Sequence, residues 1–266
     1  MNIRGDAVLA WLHSYAPFSE AIDVLAVEQL SFWIVGGAIR DYYLGSGAPP
    51  VDLDIALSGG AKDLDRRLQG LRHRINRHGN RRYWLPNGCV IDVIEPARFY
   101  GAEDSVESML RRFDVSVNAV AVEYPTGQVL DPIGGLADCR DRSARLPKLR
   151  WETSRGFEAA HLLARAARCI LQNNLDLIDV SRFRGLQVSL AGVDWAELER
   201  LNHSSRAEID SSIRRVARYP LVSSRSSLLA PVADNWPEKN GYMPALGRTA
   251  NAQPGSRVAS RGVVYG

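Results

Sequence analysis

Residues 51–55 read Val51-Asp52-Leu53-Asp54-Ile55, and this alternation of carboxylates with apolar residues predicts a half-buried β-strand. Alternate side chains of a strand share a face, so Asp52 and Asp54 point the same way, about 7 Å apart. Two like charges held this close are stabilised by a divalent cation, and Mg²⁺ binds carboxylate oxygens together with substrate phosphates. Asp52 and Asp54 are therefore the predicted metal ligands.

A third carboxylate lies in a similar setting further along the chain. Asp92 is the centre of Val90-Ile91-Asp92-Val93-Ile94, which has the same alternation and predicts a neighbouring strand. Asp92 can then complete a trio of catalytic carboxylates with Asp52 and Asp54. The alternative is an ordinary exposed strand face, where paired acidic residues are common without any metal.

A glycine turn precedes these strands. The apolar run Phe32 to Val35 predicts a strand, Gly36 and Gly37 predict a tight turn, and the residues from Ala38 to Leu44 predict a helix. Glycine lets the backbone come close to a ligand, and free N–H groups at a helix start bind phosphate. Arg40, in the first helical turn, adds a cation. A turn without any ligand is the alternative interpretation.

Composition limits the class of protein. The chain has 266 residues, 45% of them hydrophobic and 24% charged, which fits one large or two small globular domains and excludes collagen-like, coiled-coil and wholly disordered chains. Its longest apolar stretches fall well short of the roughly 18 residues that cross a membrane. We expect a cytoplasmic protein without membrane contact, and its three cysteines, which form no metal-binding pair, are expected to be buried thiols.

Arginine is concentrated in one stretch of the sequence. No acidic residue occurs from Arg66 to Ile91, although the net charge of the chain is only +3. Tyr83 and Trp84 follow directly, so this stretch favours contact with a nucleic-acid backbone and a stacked base. A solvated helix and loop is the alternative. The arginines concerned are Arg66, Arg67, Arg72, Arg74, Arg77, Arg81 and Arg82.

Hydrophobic periodicity predicts an α+β protein with a mixed sheet followed by helices. The segment from Val115 to Val122 is a further β-rich stretch, while Phe157–Leu171 and Asp194–Ala217 are predicted helices. The predicted organisation is leading helices broken near Pro17 over 1–30, a sheet-containing head over 31–140, a helical neck over 141–220, and a loosely packed or mobile segment over 221–266.

Several motifs in a fixed order resemble one known family. The stretch from Val35 to Asp41, with Leu44-Gly45 and the Asp52/Asp54 pair, is similar to the head of bacterial poly(A) polymerases and class II CCA-adding enzymes. These enzymes belong to the polymerase-β-like nucleotidyltransferase superfamily. Three later stretches keep the family order: residues 112–119 resemble RRDFTINA, residues 131–138 resemble DPFGGLxD, and residues 165–168 resemble the RAAR of the neck helix.

The resemblance implies a nucleotidyltransferase head, with a small mixed β-sheet flanked by helices, and an all-helical neck. It also implies transfer of a nucleoside monophosphate from an NTP to an RNA 3′-hydroxyl, of tRNA or another RNA, with release of pyrophosphate. Mg²⁺ held by Asp52 and Asp54 is the implied cofactor, and Asp92 matches the family's strand carboxylate. The implied nucleotide-binding residues are Gly36, Gly37, Arg40, Arg112, Asp114, Asn118, Arg165 and Arg168.

Part of this set recurs on one helix face. Glu158, His161, Arg165 and Arg168 are spaced by three, four and three residues, so they form a polar stripe. The resemblance implies that the stripe faces the cleft and binds triphosphate. A solvated face with its own ion pairs is the alternative.

The sequence also departs from the family. In the family, the neck motif EDxxR recognises the incoming base through its Asp and Arg. Ala159 and Leu162 occupy the positions of that Asp and Arg here. Phe113 stands in place of the second Arg of RRD. A different nucleotide preference, or none, is therefore expected. The family's helical body and tail have no recognisable counterpart here. One alternative function is nucleotidyl transfer to a hydroxyl of a small molecule or protein. Another is a relative that binds nucleotide or RNA without catalysis. The sequence leaves the acceptor and the oligomeric state open.

Overall fold

The structure is a computed structural model and describes residues 5–26, 31–57, 64, 66, 68–76, 79–187 and 192–218. The helices are α1 (Asp6–His13), α2 (Ala16–Ala26), α3 (Gly37–Leu44), α4 (Val106–Leu110), α5 (Gly135–Arg140), α6 (Lys148–Thr153), α7 (Gly156–Gln172), α8 (Val180–Gln187), α9 (Trp195–Asn202) and α10 (Arg206–Arg218). The strands are β1 (Phe32–Val35), β2 (Leu53–Ala56), β3 (Arg72–Ile75), β4 (Arg81–Trp84), β5 (Val90–Ile94), β6 (Ala121–Tyr124), β7 (Val129–Leu130), β8 (Ser143–Ala144) and β9 (Asp176–Leu177).

Seven strands form one mixed sheet in the order β3-β4-β5-β2-β1-β6-β7. Strands β2 and β5 are parallel, whereas the other neighbouring pairs are antiparallel. Asp54 lies directly opposite Asp92 in the parallel pair. This confirms the α+β fold class and brings the two carboxylate-bearing strands together.

The alternation of side chains along β2 divides the two faces of the sheet. Leu53 and Ile55 are fully buried in a core with residues of α1, α2 and α3. Ala56 lies on the opposite face, in a smaller core with Met109 of α4 and Phe113. Because Asp54 shares a face with Ala56, the carboxylates lie on the face that α4 covers only in part.

The helices that follow the sheet, predicted as the neck, are arranged around α7, which extends one residue beyond the predicted helix at each end. The alanines and leucines of α7 pack with α8, α9 and α10 in one apolar core that also contains Trp151 and Phe183. The segment predicted as one helix, Asp194–Ala217, is two helices, because His203 takes a positive φ of 51° and ends α9. The short strands β8 and β9 form a parallel pair, which connects the segment before α6 to the segment after α7.

The prediction of a β-rich stretch over Val115–Val122 was only half correct. A 3₁₀ turn spans Ser116–Asn118, and the strand begins at Ala121. The reason is local: the Asp114 carboxylate accepts hydrogen bonds from the Val115 N–H and the Asn118 amide, which fold the chain back on itself.

Two other predictions concern the ends of the chain, and the two leading helices with a break near Pro17 are present. The leading helices separate at Ser14 and Tyr15, and Pro17 lies in the first turn of α2, where a missing N–H costs nothing. The segment 221–266 lies outside the described residues. Within the described part of the chain, none of the helices has the length and apolar character needed to cross a membrane.

Candidate functional site

The three predicted carboxylates come together at the centre of the sheet. Asp54 of β2 faces Asp92 of β5 across the parallel pair, and Asp52 lies just before β2. One oxygen atom from each of the three lies within 4.8 Å of the others. The chain thus places three hard oxygen donors where a single cation can contact them all.

The electrostatics of this trio favour a cation. Burial, followed by the neighbouring carboxylates, raises the pKa of Asp52 and raises that of Asp54 well above its ordinary value. Ionised carboxylates at such distances repel one another, and a divalent cation removes both the repulsion and the desolvation cost. The Asp52 side chain is 38% exposed, so the trio opens to solvent and to ligands. The residues present therefore fit a divalent metal ion.

Gly36 brings the turn after β1 against the trio. Its φ of 75° and ψ of −132° suit glycine alone, and a Cβ built there would lie 3.0 Å from Oδ2 of Asp54. The next residue, Gly37, begins α3. The predicted phosphate-binding turn therefore adjoins the carboxylates, with the N-terminus of a helix beside it.

We expect Gly36→Ala to weaken metal binding and to cost about 2 kcal/mol of stability, because alanine is strained at this φ and its methyl group presses on Asp54. Isothermal titration with Mn²⁺ and thermal unfolding measure the two effects. Gly45→Ala is the matched control, since Gly45 also has a positive φ but has open space at its Cβ position. Equal metal affinity in the two variants would contradict the role of Gly36.

Arg82 is a member of the site that sequence reasoning placed only in the arginine-rich stretch. It lies opposite Asp92 across β4 and β5 and donates two hydrogen bonds to that carboxylate, at 2.7 and 2.5 Å. Its guanidinium is 3.6 Å from Asp52. Arg82 thus supplies a positive charge to the trio, and only the pairing of β4 with β5 reveals it.

A second cluster surrounds Asp114. This buried carboxylate accepts hydrogen bonds from the Val115 N–H, the Asn118 amide and Nε of Arg165, each at 2.9 Å. Its backbone carbonyl accepts a bond from Nε1 of Trp151 at 2.7 Å. Burial alone would raise the pKa of Asp114, but the Arg165 guanidinium and the Asn118 amide lower it to about 2. Asp114 is therefore ionised and fixes Arg165 in place.

Arg165 connects this cluster to the trio. Its side chain is 51% exposed although it is bonded to Asp114, and its charge lowers the pKa of both Asp52 and Asp54 against the effect of burial. An exposed guanidinium beside these three carboxylates is suited to a phosphate group.

Arg40 and Asn118 join the Asp114 cluster to α3. Arg40 donates to Oδ1 of Asn118 at 2.8 Å and to Asp41 at 2.8 Å, so its guanidinium is engaged within the fold. Its charge still lowers the pKa of Asp52. The predicted residues Arg40, Asp114 and Asn118 are thus brought together in one network.

Arg112 and Arg150 both contact Tyr100. Arg112 donates to the Tyr100 carbonyl at 3.1 Å, and the Arg150 guanidinium lies over the Tyr100 ring. Within the described ranges, Nε of each arginine is buried without a hydrogen-bond partner. Arg150 also lies 3.8 Å from Glu158. Sequence analysis missed Arg150 because it lies in α6, outside every quoted motif.

The residues of the polar stripe on α7 contact different parts of the protein. Arg165 contacts Asp114, Glu158 lies near Arg150, and Arg168 donates to the Asn202 carbonyl at 2.9 Å. Ala159 and Leu162, which hold the positions of the family's base-recognising pair, are 0% and 1% exposed. They belong to the neck core and offer no polar group to a base.

Comparison with known proteins gives matches in the region that contains the trio. Residues 32–145 match the family described as poly A polymerase head domain. The CCA-adding enzyme of Coxiella burnetii is 30% identical over 131 residues, which cover 45% of this chain and 34% of that enzyme. The CC-adding tRNA nucleotidyltransferase of Geobacter sulfurreducens is 34% identical over 119 residues, which cover 42% and 26%.

Solved structures show the same fold. A CCA-adding enzyme in complex with CTP superposes with a TM-score of 0.55 at 19% identity, covering 81% of this chain and 54% of that chain. The sequence matches with the two curated relatives span about a third or less of those proteins' length. The match with the poly A polymerase head-domain family is confined to residues 32–145, which are less than half of the chain.

Proposed function

We propose that this protein is a metal-dependent nucleotidyltransferase that transfers a nucleoside monophosphate from an NTP to an RNA 3′-hydroxyl and releases pyrophosphate. The observation that carries the proposal is the trio of Asp52, Asp54 and Asp92, with the exposed Arg165 guanidinium beside it. The match of residues 32–145 to the head-domain family supports it, as do the relatives named as CCA-adding and CC-adding enzymes.

Asp52 and Asp54, with Asp92 beside them, are the residues that would hold Mg²⁺. When bound, such an ion neutralises the triphosphate and lowers the pKa of an attacking hydroxyl. Asp92 contributes in a second way, because its two hydrogen bonds hold Arg82 at the edge of the trio.

The remaining residues bind and orient the nucleotide. Gly36 and Gly37 offer backbone N–H groups to a phosphate at the start of α3, and Arg165 offers its free guanidinium edge. Asp114 acts as a positioning residue, since it fixes Arg165. In the transfer, the acceptor oxygen bonds to the α-phosphorus, the bond to the bridging oxygen of pyrophosphate breaks, and the hydroxyl proton passes to solvent.

Arg112, Arg40, Asn118 and Arg168 are proposed as the supporting nucleotide-binding residues. Arg112 has an unpartnered buried Nε next to Tyr100, and Arg40 orients Asn118. Arg168 lies one turn beyond Arg165 on α7 but is bonded to α9 through the Asn202 carbonyl. We therefore assign Arg168 an indirect effect on triphosphate affinity.

Base selection is proposed to be weak. Ala159 and Leu162 are buried and apolar, and discrimination between bases requires donors and acceptors that only the correct base satisfies. We expect the kcat/KM values for the four NTPs to fall within about tenfold of one another. This range corresponds to a difference of about 1.4 kcal/mol in transition-state free energy. A preference above a thousandfold for one nucleotide would contradict this expectation.

The test uses each labelled NTP separately, with Mg²⁺ and a mixture of total tRNA and unstructured RNA. We expect the wild type to label RNA, the Asp52→Asn/Asp54→Asn variant to label none, and Asp141→Asn to behave as wild type, since Asp141 is an exposed carboxylate elsewhere. Pyrophosphate release without labelled RNA would show that the acceptor is another hydroxyl, on a small molecule or a protein. Nucleotide binding without any release would show a relative that lacks catalysis.

A further inference from the structure

A row of charged side chains crosses the sheet from its edge to the trio. Arg74 of β3 lies opposite Arg82 of β4, Arg82 lies opposite Asp92 of β5, and Asp92 lies opposite Asp54 of β2. Directly opposite residues of neighbouring strands share a face. The row therefore runs along the catalytic face, with about 5 Å between successive strands.

A second row runs beside the first. Arg72 lies opposite Trp84, and its guanidinium carbon is 5.0 Å from the centroid of the Trp84 ring. The alternate residue Tyr83 is buried in the core on the other face. Arg72, Arg74, Arg82 and Trp84 thus form one surface on the catalytic side, which we name the hairpin platform.

The outer part of the hairpin platform has uncompensated positive charge. Arg72 and Arg74 are both exposed, and among the residues that the structure describes neither makes an ion pair with a carboxylate. The sequence contains no acidic residue between Arg66 and Ile91 that could neutralise them. A polyanion is therefore attracted to this edge of the sheet.

The position of the hairpin platform distinguishes it from the nucleotide-binding cluster. Gly36 follows β1, and Phe113 lies beside Gly36 and next to Asp114 in the chain. The Asp114 cluster therefore lies on the β1 side of the carboxylates, whereas the hairpin platform lies on the β4 and β3 side. A transferase binds its two substrates on opposite sides of its metal-binding residues. The Asp114 cluster and the hairpin platform are two surfaces in these positions.

We propose that the hairpin platform binds the single-stranded 3′ end of the acceptor RNA. Arg74 and Arg82 contact successive phosphates, and Trp84 with Arg72 stacks against a base, which is the combination found in surfaces that bind single strands without sequence preference. Two strand spacings, about 10 Å, separate Arg74 from Asp92. The terminal hydroxyl is thereby directed to the trio. This inference rests on the proposed function, since it assigns the acceptor site of the same reaction.

The experiment measures binding of a fluorescein-labelled, unstructured 12-nucleotide RNA by anisotropy over a range of salt concentrations. For Arg72→Gln/Arg74→Gln, the slope of log affinity against log salt is expected to fall by about 0.7, the value for one phosphate, because Arg74 is the member of this pair that contacts a phosphate. Trp84→Ala should weaken binding about tenfold and Trp84→Phe should restore most of it, because a ring remains for stacking. Arg111→Gln/Arg214→Gln removes equal charge from two exposed positions, one directly after α4 and one on α10, and should leave the slope unchanged.

Steady-state kinetics complete the test. The KM for RNA should rise in Arg72→Gln/Arg74→Gln while the KM for NTP stays constant. If wild type and Arg72→Gln/Arg74→Gln have the same RNA affinity and salt slope, RNA binding by the hairpin platform is contradicted, even if the enzyme extends RNA. The same conclusion follows if the control variant loses as much RNA affinity as Arg72→Gln/Arg74→Gln. A wild type that neither binds nor extends RNA would instead overturn the proposed acceptor, and the platform with it.

Discussion

Replacing Asp54 by Asn is expected to lower nucleotide transfer about a thousandfold, which corresponds to about 4 kcal/mol of lost transition-state stabilisation at the metal site. The same variant should be more stable than wild type when metal is absent. Burial and the charges of Asp52 and Asp92 raise the pKa of Asp54 in the folded protein, so its ionised form opposes folding at neutral pH. Asn removes this cost.

The pH dependence gives the sign of this effect. A carboxyl whose pKa is higher in the folded than in the unfolded state destabilises the fold increasingly as pH rises from its unfolded value through its folded value. The gain from Asp54→Asn should therefore be small at pH 4 and larger at pH 8. A gain of about 1 kcal/mol would raise the melting temperature by about 2–4 °C.

Thermal unfolding in chelator and in Mg²⁺ measures the stability of Asp54→Asn, and single-turnover kinetics measure its transfer rate. Mg²⁺ should raise the melting temperature of wild type and of the control Asp141→Asn, but not that of Asp54→Asn. Transfer at the wild-type rate in Asp54→Asn, or a lower melting temperature in chelator at pH 8, would contradict the assignment of Asp54.

Asp114→Asn is expected to destabilise the protein by about 2–3 kcal/mol at neutral pH. Asp114 is buried and ionised, and its loss breaks the ion pair with Arg165 and disturbs the bonds to Val115 and Asn118. Breaking a buried pair costs about 3–5 kcal/mol, and we discount this because the exposed Arg165 recovers hydration. Arg165 also loses its fixed position, so the KM for NTP should rise.

The difference between wild type and Asp114→Asn should shrink in acid. The pKa of Asp114 is lowered to about 2, so its contribution to stability is present above the unfolded pKa and is lost as pH falls toward 2. Denaturant unfolding at pH 7, 4 and 3 measures this, with the exposed Asp176→Asn as control. A constant difference across this range would show that the charge of Asp114 is not the source of its stabilisation.

Much of the fold followed from local patterns. The alternation around Asp54 predicted the strand β2, but β2 begins only at Leu53, so Asp52 lies just before the strand and not within it as predicted. The periodicity of α7 predicted its limits within one residue. The predicted position of Asp92 on a strand next to that of Asp54 was also confirmed, because β2 and β5 pair with Asp54 opposite Asp92. These features depend on short-range geometry, which the sequence encodes directly.

Other features depend on long-range pairing and were not predicted. Arg82 enters the trio only because β4 pairs with β5 in one register, and Arg150 reaches Tyr100 through the packing of α6. The turn at Ser116–Asn118 replaced a predicted strand, since one carboxylate, Asp114, bonds the following backbone. Side-chain bonds of this kind override the β preference of valine.

The most direct test of the metal-binding trio is crystallography of the full chain with Mn²⁺ and a non-hydrolysable NTP analogue, recorded at a wavelength where manganese scatters anomalously. We expect an anomalous peak within coordination distance of both Asp52 and Asp54, with the triphosphate between them and Arg165. A triphosphate bound elsewhere, or a manganese peak that contacts neither Asp52 nor Asp54, would contradict the nucleotidyltransferase site.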